Sequence, residues 1–83
     1  MSGRIPKPAM TVSLKPGLET VAATVTLDGI GPSFAVTAEA WRSDRAPDPH
    51  IAFELALSRA LSRLQHEIME SIHQRIDRAT DDV

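Results

Sequence analysis

The chain has 83 residues, no cysteine, a formal net charge of −2 and a pI near 5.8. That length is one domain, which buries only about 60–65% of its unfolded surface, and without cysteine neither a disulfide nor a thiolate metal site can support it. The acidic balance gives no general attraction to nucleic acid, and no apolar run approaches the roughly 20 residues of a membrane span.

Residues 1–8 (MSGRIPKP) hold two prolines and two basic side chains and no apolar stretch, so they read as a flexible tail and not as a signal peptide. From Met10 the pattern alternates. Met10, Val12 and Leu14 share one side and Thr11, Ser13 and Lys15 the other, as in a half-buried strand. Pro16-Gly17 then turns the chain. A second strand is expected from Thr20 to Leu27, with Val21, Ala23, Val25 and Leu27 facing the core. The turn Asp28-Gly29-Ile30-Gly31-Pro32 joins it to a third strand, Ser33 to Arg42, as an antiparallel hairpin. Phe34, Val36, Ala38 and Ala40 face inward there. Trp41 points off the core face, where it serves as an interface anchor or packs over neighbouring residues.

Ser43 to Pro47 is a polar connection. Asp48 then suits a helix N-cap and Pro49 the first helical position, where a missing N–H has no partner to lose. Phe53, Leu57, Ala60, Leu61, Leu64, Ile68, Ile72 and Ile76 recur every three or four residues, a single apolar stripe on one long helix. Its end is placed near Arg78, before an acidic tail over 80–83. The fold class that follows is α+β: a three-stranded antiparallel sheet and one long C-terminal helix, β-β-β-α, in a single domain over 9–79. Met10, Val12 and Leu14 are expected in its core with Phe53, Leu57, Leu61 and Leu64.

About 30 helical residues span roughly 45 Å, more than three short strands can cover. Ile68, Ile72 and Ile76 therefore call for a cover, and a second copy of the chain is the simplest one.

The run Ala38-Glu39-Ala40-Trp41-Arg42, a Pro- and Asp-containing connection, and Ile51-Ala52-Phe53-Glu54-Leu55-Ala56-Leu57-Ser58-Arg59-Ala60-Leu61-Ser62-Arg63-Leu64 resemble a small actinobacterial family of unknown function, over some 70 of the residues. Met10 stands where that family usually has an aromatic, and Phe53 where it usually has Gly. The resemblance implies a fold like the double-stranded-RNA-binding domain without its first helix, a homodimer, and a role in stress or dormancy. Some members are similar to ribosome hibernation factors, and others occur in phages, which admits a phage protein that binds a host protein.

Classical dsRNA binding is not expected. Domains of that fold grip phosphate with lysines at the start of the last helix, and here the start reads Asp48-Pro49-His50-Ile51-Ala52-Phe53-Glu54, with no Lys or Arg. Arg59 and Arg63, one turn apart, are either a small basic patch or a solvated face with Arg63 pairing Glu67. His66, Glu70, His73 and Asp77 share a helix face, but one straight helix cannot wrap four ligands around an ion. A dimer that brought His66 and His73 of two copies together is the one route to an enzyme. No motif places a nucleophile beside a base, so no catalytic residue, metal or cofactor is assigned. The expectation is a non-enzymatic, cytoplasmic, homodimeric interaction protein that binds a protein partner, with Trp41, Arg59, Arg63, Ile68, Ile72 and Ile76 as candidate interface residues. Its alternative is a ribosome- or RNA-associated factor.

Overall fold

A computed structural model describes residues 7–42 and 49–81. Three strands, β1 (Ala9–Pro16), β2 (Thr20–Asp28) and β3 (Phe34–Trp41), form an antiparallel sheet in the order β1-β2-β3, and one helix, α1 (Pro49–Asp81), follows. The expected α+β arrangement, β-β-β-α, is the one found. Most of the expected tail, the 43–47 connection, the Asp48 cap and the last two residues lie outside the described residues. Pro16, expected to stop the first strand, is its last member, opposite Val21. The helix runs past Arg78 to Asp81.

The hairpin between β2 and β3 turns where the sequence placed it. Gly29 and Gly31 have φ of 94° and 121°, which favour a residue without a Cβ. At Gly29 there is a second reason: an added Cβ would collide with the Lys7 carbonyl, which crosses the turn there. At the other end of the sheet Arg42 ties the strands together. Its N–H donates to Glu19 O at 2.7 Å and its guanidinium to Gly17 O at 2.8 Å.

The core lies between α1 and the β2–β3 pair. Val21, Ala23, Val25 and Leu27 of β2 and Val36, Ala38 and Ala40 of β3 meet Ala52, Ala56, Ala60 and Leu64 of α1. Phe34, Phe53, Leu57 and Ile68 are half-buried around it. Two expectations are corrected. Leu61 is not in the core but 41% exposed, because the helix turns its alanines to the sheet; these stand four apart and form one row along the axis. A row of alanines lets the helix backbone approach the small residues of β2 and β3 closely, and the leucines one residue further on are swung about 100° around the helix. Met10, Val12 and Leu14 are not in the core either; they are 53%, 45% and 45% exposed. They stand opposite Leu27, Val25 and Ala23, on the face that carries the helix. The helix lies over β2 and β3, and β1 is left outside its footprint.

The molecule is elongated. Its radius of gyration is 16.8 Å, against about 12 Å for a compact chain of this length. Thirty-three helical residues reach about 50 Å, whereas strands of eight or nine residues reach roughly 26–30 Å.

The close helix–sheet contact yields a prediction. Ala56→Leu puts three extra carbons where the parent side chain is fully buried, and should lower stability by about 1–3 kcal/mol, read as a reduced urea midpoint with an unchanged slope.

Candidate interaction surface

The polar groups do not converge. Among the described residues no three His, Cys, Asp or Glu side chains come together as metal ligands, and no buried polar or charged side chain is found. His66 Nε2 and Glu70 Oε1 are 3.9 Å apart on an exposed helix face. Among the described residues no helix is long and apolar enough to cross a membrane. What remains is surface: two sheet edges, the uncovered side of β1, and the far end of the helix.

The two edges differ, and the ladder shows how. In an antiparallel pair, opposed residues alternate between exchanging both main-chain hydrogen bonds and turning those groups away from each other. The Arg42–Glu19 bond marks a bonded pair, so Val21–Ala40, Ala23–Ala38 and Val25–Val36, two residues apart in turn, are bonded pairs as well. Between them Thr24 and Thr37 form a non-bonded pair, whose side chains are closer; their hydroxyl oxygens are 2.9 Å apart. Thr37 and Glu39 therefore turn their carbonyls out of the β3 edge. Both carbonyls are taken: Arg63 donates to Thr37 O at 2.6 Å and Arg59 to Glu39 O at 2.9 Å.

The same count carries to β1. Thr24 turns its main-chain groups toward Ser13, and the Gly17 N–H to Thr20 O bond of 2.7 Å has the same parity. Ala9, Thr11, Ser13 and Lys15 are thus bonded to β2, whereas Met10, Val12 and Leu14 turn N–H and C=O out of the sheet. Pro16 has the outward parity, so its missing N–H costs the ladder nothing, the setting in which strands tolerate proline. Pro8, just before the strand, shares that parity. Among the described residues no side chain reaches the outward groups of β1.

Sidedness on the helix completes the surface. At about 100° per residue, Arg59 and Arg63 fall on one flank of the Ala56–Ala60 line and Phe53, Leu57 and Leu61 on the other. The arginine flank faces the β3 edge, so the leucine flank faces β1. Met10, Val12, Leu14 and Leu61 are each 41–53% exposed.

The six residues singled out in the sequence do not form one surface. Trp41, 67% exposed, and Arg59 line a pocket of ≈ 90 Å³ at one end of the sheet. Arg63 lines an open cleft of ≈ 560 Å³ with Ala35, Thr37, His66 and Glu67. Arg63 bonds a sheet carbonyl, Thr37 O, and not Glu67. Ile68 packs against the core, and α1 continues 13 residues beyond it (81 − 68). On that overhang Ile72 and Ile76 line a depression with Arg75 and Ala79. Arg59 and Ile76 are 17 residues apart on one helix, roughly 26 Å. Sequence reasoning missed β1 as a surface. Its signal was present: a proline at the end of an alternating strand, which belongs at an edge.

Comparison with protein-family models, with curated proteins and with solved structures finds no match to this chain.

The arginine contacts can be tested directly. Replacing Arg59 and Arg63 together by alanine removes two charge-assisted bonds and bares the β3 edge. Stability should fall by about 1 kcal/mol per bond, and light scattering should show assembly that grows with concentration.

Proposed function

We propose that this protein is a non-enzymatic interaction protein that works as a homodimer and binds a protein partner. The observation that carries the reading is that its distinctive exposed features are apolar and main-chain surfaces, whereas among the described residues the titratable side chains neither converge nor enter the core. Dimer formation is supported by the large apolar side chains that the fold leaves uncovered, Met10, Val12 and Leu14 on β1 and Leu61 and Ile76 on α1. A role in stress or dormancy, in a bacterial cell or brought by a phage, belongs to the family resemblance and rests on the residues that carry it, whereas the cytoplasmic reading rests on the lack of cysteine.

Ribosome or RNA association is the weaker reading. The helix start has His50 and Glu54 in place of a phosphate-gripping lysine cluster, and Arg59 and Arg63 are engaged with β3 carbonyls.

Sedimentation of the untagged chain should give a dimer at micromolar concentration. A tagged chain in an actinobacterial lysate should retain one or two proteins after nuclease treatment and at raised salt. Ribosomal proteins that disappear with nuclease, or binding that falls steeply with salt as phosphate contacts release counterions, would instead favour the RNA-associated reading.

A further inference from the structure

We infer that β1 is the dimer interface, and that two copies join their β1 edges antiparallel about a twofold axis through Val12 into one six-stranded sheet. This rests on the homodimer reading and places its contact on β1 instead of on the helix overhang.

Three observations select the second copy as the occupant. The β1 edge carries free N–H and C=O groups at Met10, Val12 and Leu14, while the β3 edge has its Thr37 and Glu39 carbonyls occupied by arginines. Strand addition at β3 would have to displace these two bonds, whereas addition at β1 displaces none. The edge is also self-complementary. Antiparallel pairing centred on Val12 sets Met10 opposite Leu14 of the partner subunit and Val12 opposite its own copy. All three are outward-bonding positions, so the parity closes a ladder of six hydrogen bonds. In that register Pro8 meets Pro16 of the partner subunit, so the residues that cannot donate fall together at both ends. Lys15 meets Ala9 of the partner subunit, and no like charges stand opposed. Finally, the pairing preserves the pleat. Met10, Val12 and Leu14 of both copies come side by side on the helix-bearing face, where each is now 45–53% exposed.

A one-residue slip would oppose Met10 to Ser13 of the partner subunit and mismatch both the bonding parity and the faces. A two-residue slip keeps the faces but opposes Met10 to Pro16 or Leu14 to Pro8 of the partner subunit, which costs donors. The Val12-centred register is the one that uses every free N–H of the edge.

Analytical ultracentrifugation of the parent and three variants, with circular dichroism as the control for folding, tests the inference. Val12→Pro removes an N–H that points away from β2, so the monomer fold should survive while the dimer dissociation constant rises at least tenfold. Val12→Lys, a charge at an exposed edge position, should do the same and stands in if the proline variant fails to fold. Ile72→Glu, on the helix overhang, should leave the dimer intact. A folded Val12→Lys or Val12→Pro that remains as dimeric as the parent overturns the β1 interface alone. A parent chain that is monomeric at all concentrations overturns the homodimer reading with it. The register has its own readout. Thr11 and Ser13 of two copies form a non-bonded pair, with Cα atoms near 4.5 Å, inside disulfide range. Thr11→Cys mixed with Ser13→Cys should oxidise to a cross-linked heterodimer faster than either alone, and equal rates would overturn the Val12-centred pairing.

Discussion

The close contact between the alanine row of α1 and the small residues of β2 and β3 decides the rest of the structure. Ala56 and Ala60 are fully buried, and the core they share with β2 and β3 includes the equally small Ala23, Ala38 and Ala40. A helix that packs through alanines sits low and narrow on a sheet. It covers two strands, and the third is left over. Had the helix turned Leu57 and Leu61 to the sheet, as their size alone suggests, it would stand higher and its flanking side chains would reach β1. The exposure of Met10, Val12 and Leu14 is thus a consequence of packing over the other two strands of the same face.

The same placement produces the difference between the edges. A helix over β2 and β3 brings its arginine flank within reach of the β3 rim, and two side chains one turn apart match two carbonyls two residues apart on a strand. Helix and strand rise at different rates, about 1.5 and 3.3 Å per residue, so four helical residues span nearly the same distance as two strand residues. Arg59 and Arg63 fit Glu39 and Thr37 by that near-coincidence. The β1 rim is a strand's width further away and receives nothing comparable from the helix.

Much of the fold was legible because the signals for it are local. Alternation over Val21–Leu27 and Phe34–Ala40, the Gly29 and Gly31 turn, and helical periodicity from Phe53 onward each depend on near neighbours in the chain. Which face of the helix meets the sheet does not. Both the alanine row and the leucine row recur at helical spacing, and hydrophobicity favours the larger residues, whereas the sheet's own small side chains favour the smaller ones. That choice is tertiary, and the errors at Leu61 and at Met10, Val12 and Leu14 are two results of it. The arginines were ambiguous for a related reason: their partners are main-chain carbonyls some twenty residues away, which no side-chain pattern reveals. The parity of the prolines was visible, but it acquires meaning only once the strand is known to be an edge.

Small size makes the open edge matter. Among the described residues, six of the eleven in the buried core are alanine, and only Val21 and Val25 are both large and fully buried. Such a core removes little apolar area from water, so the free energy available to a chain of this length is modest. Association can supply more, but an exposed strand edge normally carries the danger of unlimited growth, because β1 of one copy can add to β3 of the next and the chain of additions need not close. Here the arginines change the outcome. With the Thr37 and Glu39 carbonyls of the β3 rim taken, the head-to-tail addition would have to displace two charge-assisted bonds and leave two guanidinium groups without their acceptors. Joining like edge to like edge displaces none and closes on itself after two copies. The positions of Arg59 and Arg63 therefore act on association as well as on the monomer: they leave one edge for pairing and make the pairing finite.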